Sequence, residues 1–434
     1  MKHLATFIIA CFACAVGQGQ TMTLAECIDA GVANNLALAN ARVGISKGRL
    51  GVTQNRSRLL PVIQGVAQTT GYIMSPVNVT TGTLLGNDFA SDPTWQTIKS
   101  MKYQTNAGIA LNVPIYNQTI FAGVDVARTV AKIQSLSYEK GREELIVQIG
   151  KVYYMAQMSK EQVRLTDLNI NRINELCDIT EALYGQGVVM EVDLNRVRIN
   201  RERLQAERAV QCTTYEQQLN MLRYLMDMAV EAPLEVTDMD TTFTPENIGG
   251  ASAQLPEILL AETQKTLIDK RIRSVKAEFL PTLSLTGYVG GLGYNEKLSQ
   301  FADHWFGNSY IGVSLRVSIF EANSRRQRIR QFRYDAQMAQ NSLEQLKRQT
   351  DRSYADATLQ LNRNMEIART QAECRRQAEH VYAIAEEQYK EGVASMTSLL
   401  QDDMQLRSAQ AACIQAVCQC QLAQLDLLRL AGKL

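Results

Sequence analysis

Two stretches of the chain, residues 118–184 and 323–389, contain no proline, and the second contains no glycine. Both are rich in Gln, Ala, Leu, Arg and Glu, residues that lose little freedom in a helix. At about 1.5 Å per residue each would form one helix roughly 100 Å long. Such a helix does not fit an ordinary globular core and needs neighbours along its whole length. The second stretch shows a seam for one of them. Ile329, Phe332, Ala336, Ala339, Leu343 and Leu346 recur at spacings of three and four, as in coiled-coil-like packing. Beyond Leu346 the seam turns small or polar, with Thr350, Ser353 and Ala357. A helix with one wet face and narrow side seams tolerates that pattern.

The chain also repeats itself. Leu60-Pro61-Val62-Ile63 in the first half is matched by Leu280-Pro281-Thr282-Leu283 in the second. Tyr184-Gly185-Gln186-Gly187-Val188 is matched by Tyr389-Lys390-Glu391-Gly392-Val393. In each half the order reads helix, strand, loop, strand, very long helix, tight turn, long helix. The first repeat is expected over 20–230, with strands near 62–74 and 104–116 and helices near 118–184 and 188–230. A linker follows over 231–252. The second repeat is expected over 253–434, with strands near 282–290 and 308–320 and helices near 323–389 and 393–431.

The strand segments alternate with period two. Ile311, Val313, Leu315, Val317 and Ile319 oppose Tyr310, Gly312, Ser314, Arg316 and Ser318. Ala107, Ile109, Leu111 and Val113 oppose Asn106, Gly108, Ala110 and Asn112. An apolar face against a small polar face suits a membrane barrel, with lipid outside and water inside. A soluble sandwich with one buried face would read the same way. Tyr72, Tyr103, Tyr116, Tyr288, Trp305, Phe306 and Phe320 are placed near strand ends, compatible with interfacial girdles. Gly290-Gly291-Leu292-Gly293 reads as a loop between strands. Four strands cannot close a membrane barrel, for which about eight is the minimum. Open edges in lipid leave backbone groups without partners, so the chain would share a barrel with copies of itself. Three copies give twelve strands.

At the N-terminus Lys2 precedes an apolar run from Leu4 to Val16 and a small-residue cut site at Gly17-Gln18-Gly19, so 1–19 reads as a secretory signal. Ile8-Ile9-Ala10-Cys11 also resembles a lipobox, which would leave Cys11 lipidated. Downstream no window holds about 20 uninterrupted apolar residues. The net charge of +1 gives no electrostatic footprint for nucleic acid. Seven cysteines remain beyond the signal, without the paired spacing of a zinc site. No nucleotide-binding or metalloprotease motif is present, so no enzyme, cofactor or metal is expected.

The opening Met22-Thr23-Leu24-Ala25-Glu26-Cys27, then Ala33-Asn34-Asn35-Leu36, resembles that of the TolC family of outer-membrane efflux proteins. Leu36 stands where that family usually has proline. The two Pro-x-aliphatic strand starts and the two Tyr-x-x-Gly turns match it in order, across nearly the whole mature chain. The resemblance implies a mainly α fold with membrane β-strands: a homotrimer whose twelve-stranded β-barrel continues into a periplasmic α-helical barrel. It implies a passive efflux or type I secretion conduit, linked by a periplasmic adaptor to an inner-membrane transporter. The alternative is a periplasmic coiled-coil interaction protein without membrane strands.

By the same resemblance, Gly187, Val188, Gly392, Val393, Ala394 and Ser395 occupy helix-tip turns that would meet the adaptor. Tyr389, with Tyr184 as its first-half counterpart, would help close the tube. The family's acidic ring falls here on Ser398 and Gln401, which are neutral, so Asp402, Asp403 and, in the first half, Asp193 are the candidates left. Arg325, Arg326 and Arg328 follow a strand directly and could meet the phosphates of outer-membrane lipid.

Overall fold

The computed structural model describes residues 20–81, 95–240, 250, 254–300 and 303–434. The signal, its lipobox and half of the linker lie outside these. Strand β1 (Gln20–Met22) leads into α1 (Leu24–Asn34) and α2 (Leu36–Ser57). Then come β2 (Val62–Gly71), β3 (Val77–Thr81), β4 (Trp95–Lys99) and β5 (Tyr103–Tyr116). Helices α3 (Gln118–Gly185) and α4 (Glu191–Leu225) and strand β6 (Leu234–Val236) complete the first half. The second runs α5 (Pro256–Ala277), β7 (Thr282–Asn295), β8 (Trp305–Arg316), α6 (Ser324–Lys390) and α7 (Met396–Leu430). Among the described residues no helix is long and apolar enough to cross a membrane.

The opening motif has a local physical reason. Thr23 caps α1 in a capping box, its hydroxyl accepting from Glu26 N–H while the Glu26 carboxylate accepts from Thr23 N–H, which satisfies two otherwise orphaned donors. Asn35 then starts α2. Its Oδ1 accepts from the N–H groups of Ala37 and Leu38, and its Nδ2 donates to Leu225 O at 3.1 Å.

The chain forms two compact units, and each draws on both halves of the sequence. The first comprises 1–44, 134–262 and 341–434 and is helical apart from the parallel pair β1–β6. One of its clusters joins Cys27, Leu38, Ile149, Tyr153, Leu222 and Val236. Helix α3 clamps the segment after α4: Tyr153 Oη lies 2.7 Å from Thr237 Oγ1, and Lys160 reaches Glu235 at 2.9 Å and Asp238 at 2.8 Å.

The second unit comprises 45–133 and 263–340. It holds one four-stranded antiparallel sheet in the order β2-β5-β7-β8 and a separate β3–β4 hairpin. Register aligns Ile63, Leu111, Gly287 and Ile311 across the four strands. Because side chains alternate, Ile109, Val113, Leu285, Val289, Val313 and Leu315 join that face. The other face carries Gln64, Asn106, Asn112, Thr286, Asn308 and Tyr310. Ile63, Ile109, Val289, Ile311, Val313 and Leu315 are exposed in the single chain. The sheet is open, with β2 and β8 as its edges.

Several sequence expectations change here. Gly290-Gly291-Leu292-Gly293 is not a loop. It lies in the C-terminal half of β7, paired on both sides, to Ala107–Thr105 and to Asn308–Trp305 among others. Flanking partners override the weak strand preference of glycine. Tyr288 therefore sits in mid-strand rather than near an end. It is buried, stacks on Tyr310 at 5.8 Å between centroids and hydrogen-bonds Asn106. Strand β2 stops at Gly71 and β8 at Arg316, so Tyr72 falls just outside the one and Phe320 well beyond the other.

Candidate functional site

The two tight turns of the first unit have the same backbone design. After α3, Val188 N–H donates to Leu183 O at 3.0 Å and Gly187 N–H to Tyr184 O at 2.9 Å. After α6, Val393 N–H donates to Gln388 O at 2.8 Å and Gly392 N–H to Tyr389 O at 3.0 Å. This crossed pair of bonds ends a helix through a left-handed residue. Gly187 at φ 75° and Gly392 at φ 72° supply it, where a Cβ would be strained. Each turn leaves one valine outside: Val188 is 69% and Val393 78% exposed. Sequence reading missed Met190 and Val192, also exposed, which extend the first apolar tip. Their alternation with Glu191 directly after the turn was the available signal. Ala394 is half-buried. Ser395 caps α7 by accepting from Ser398 N–H at 3.2 Å, whereas Met190 at the start of α4 makes no side-chain cap.

Both tips share one core. Ile173, Cys177, Val197, Tyr382, Tyr389 and Leu399 pack together from α3, α4, α6 and α7. The two tip tyrosines differ: Tyr389 is 7% exposed and its hydroxyl lies 3.5 Å from Thr180 Oγ1, while Tyr184 is 43% exposed. Asp193 pairs with Arg196 at 3.0 Å, and Arg196 donates to Thr397 Oγ1 at 3.0 Å, tying α4 to α7.

The adjacent carboxylates Asp402 and Asp403 part company. Asp402 is half-exposed. Asp403 turns into the helix core, 5% exposed, and pairs with Arg407 at 2.9 Å. That placement takes Asp403 out of any exposed acidic ring. Arg407 also donates to Asn200 Oδ1 at 3.3 Å, and Arg172 stacks over the Tyr382 ring at 4.7 Å. Burial pushes the Asp403 carboxyl above its ordinary range, although Arg407 and Arg172 pull the other way. Burial, aided by the Asp403 charge, raises the Tyr382 phenol. A cavity of 380 Å³ opens beside this cluster, lined by Thr166, Asn169, Arg407 and Gln410 together with Leu204 and Met404. Cys27, Cys177, Cys413, Cys418 and Cys420 are buried free thiols.

In the second unit the arginines of α6 divide. Arg325 is partly buried, pairs with Glu278 at 3.4 Å and Glu321 at 2.5 Å, and lies over the Phe279 ring. Arg328 pairs with Glu278 too. Arg326 is exposed and has no ion-pair partner among the described residues. Of the three arginines expected at the membrane interface, Arg326 and Arg328 are exposed, while Arg325 is drawn into ion pairs. Ala322 and Asn323, just before the helix, hold positive φ values of 43° and 60°.

Known structures share this arrangement. The outer-membrane protein VceC of Vibrio cholerae superposes with a TM-score of 0.76 at 15% identity, covering 94% of this chain and 96% of that one. The CmeC outer-membrane channel of Campylobacter jejuni gives 0.75 at 18%, covering 94% and 85%. Such likeness defines the fold as that of outer-membrane channel proteins. Among sequences, TolC of Escherichia coli K12 is 20% identical over 254 residues, 55% of this chain and 51% of that protein. The match thus spans about half the length of that relative. The solvent efflux pump outer membrane protein SrpC of Pseudomonas putida is 21% identical over 401 residues, 89% of this chain and 80% of that one.

The outer membrane efflux protein family model matches residues 28–226 and 247–433, and the chain belongs to that family. Its place is the outer membrane, which sets aside the alternative of a periplasmic protein without membrane strands.

Proposed function

We propose that this chain is one protomer of a passive trimeric conduit from periplasm to exterior. In this reading an inner-membrane transporter drives it through a periplasmic adaptor. The observation that carries the proposal is the open four-stranded sheet, apolar and exposed on one face, with β2 and β8 unpaired at its edges. In lipid those edges need partners, and three copies joined β8 to β2 make twelve strands, enough to leave a lumen. The helices then extend into the periplasm. The apolar tips Val188 and Val393, set on Gly187 and Gly392 and flanked by Ala394 and Ser395, are the adaptor's docking points. Asp193 and Asp402 line the closing end, with Tyr184 at its rim and Tyr389 packed behind it against Thr180. Nothing in this reading calls for nucleotide or proton chemistry in the chain itself.

The test is cysteine pairing across the proposed seam. With exposed Cys374 replaced by serine, single cysteines are placed along β2 and β8 at every plausible register. Oxidation of intact cells should give covalent dimers and trimers from a run of adjacent registers. Absence of linkage at all registers, from a protein present in the outer membrane, would sink the shared barrel.

A further inference from the structure

A second basic cluster lies apart from the α6 arginines. Lys270, Arg273 and Lys276 follow one stripe of α5 and, with Phe121 and Leu280, line a cavity of 520 Å³ between α5 and the start of α3. Lys270 is held by Asp125 at 3.8 Å across the groove. Arg273 and Lys276 are exposed and have no ion-pair partner among the described residues. Phe121 and Leu280 are also exposed, at the end of the groove nearest the strands. The order along the chain is informative. Leu280 lies two residues before β7, Lys276 about one helical turn further back and Arg273 about two. The first turn of α3, capped by Asn117 accepting from Thr119 N–H at 3.1 Å, begins at the same cavity, and its positive end also favours an anion.

We infer that this groove binds the phosphate headgroup of an anionic phospholipid of the periplasmic leaflet. Arg273 and Lys276 hold the phosphate, and Phe121 and Leu280 lie along the first part of an acyl chain. Charge complementarity names the headgroup. The exposed apolar pair on the strand side names a lipid rather than a free anion, since a soluble phosphate would gain nothing from it. Lys270, facing the Asp125 carboxylate that Arg128 shares at 3.3 Å, closes the far end. The inference rests on the reading of the sheet as membrane-embedded.

The experiment uses the full chain, extracted from outer membranes, delipidated, and titrated with short-chain phosphatidylglycerol, phosphatidylcholine or inorganic phosphate under native mass spectrometry. Phosphatidylglycerol should bind each chain in preference to phosphatidylcholine. Arg273→Gln with Lys276→Gln should weaken it about thirtyfold, the loss of two charges at a lipid surface. Phe121→Ser with Leu280→Ser should weaken it while leaving phosphate binding unchanged. Variants that no longer reach the outer membrane are replaced by Lys276→Arg, which should bind like the parent. Equal binding of the two lipids overturns the proposal. So does full displacement by millimolar phosphate with no effect of the apolar variants. A chain found in the outer membrane with no headgroup preference removes only this site. A chain absent from that membrane removes the reading beneath it.

Discussion

The glycines of the two tips invite a test in which neighbouring substitutions have opposite signs. Gly187 and Gly392 hold φ values of 75° and 72°, and a Cβ at either would meet nothing within 4 Å. The cost of alanine there is therefore backbone strain alone, about 1–2 kcal/mol. Gly185, two residues earlier, closes α3 with ordinary helical geometry and equally open surroundings. Alanine at that position should instead stabilise by about 0.5–1 kcal/mol, mainly by restricting the unfolded chain. Hydrogen exchange followed by mass spectrometry reads the difference at the amides of Val188 and Val393, which donate into the helix ends. Since about 1.4 kcal/mol is tenfold, Gly187→Ala and Gly392→Ala should speed exchange at their own tip about 5- to 30-fold. Gly392→Asn should cost less, because asparagine tolerates the left-handed region. Gly185→Ala should slow exchange at Val188. If Gly187→Ala and Gly185→Ala shift exchange in the same direction, the left-handed turn is not what holds the tip.

Three further expectations concern Asp403, Gly108 and the tip valines. Burial raises the Asp403 carboxyl above its ordinary 3.8, so between that value and the raised one the folded chain holds a proton the unfolded chain has released. Stability should fall as pH rises through that window and then level off, and Asp403→Asn should flatten thermal melts across it; a slope that survives the substitution belongs to another group. A Cβ on Gly108 would come 2.5 Å from Val289 O and 2.7 Å from Gly290 Cα, whereas Gly65 and Gly307 face open space. Gly108→Val should cost about 1–3 kcal/mol of packing strain and lower the thermal melting temperature, with Gly65→Ala and Gly307→Ala unaffected; equal loss from all three would deny the close approach. A photocrosslinker at Val393 or Val188 should capture an adaptor hairpin in cells, and an intact pump with no capture at either position would remove the docking assignment.

Much of this was legible because it depends on local chemistry. Tyr-x-x-Gly announced the two tight turns, since glycine ends a helix in the left-handed region without Cβ strain. Proline-free runs announced α3 and α6, and strict alternation announced the apolar sheet face. Part of what escaped depends on partners distant in sequence. Strand β1 is three residues long and pairs with β6 more than two hundred positions away, too short to carry a period. The β3–β4 hairpin consists of five-residue strands flanking a long connection, in a stretch that reads as loop. Glycines 290, 291 and 293 become strand only because β5 and β8 flank them. The inward turn of Asp403 was readable in hindsight: Leu399, Asp403, Leu406, Gln410 and Cys413 share one seam of α7 and are all buried. Charge suggested a wet position, while helical phase placed it in the core.

The claim on which the rest depends is that four strands per chain are completed by other copies. Native mass spectrometry of the protein released from outer membranes in mild detergent counts the chains directly. Three chains per particle, persisting after the tip valines are replaced by serine, is the expected result. A particle of one chain that remains folded and membrane-extractable, with β2 and β8 resistant to exchange, would contradict it.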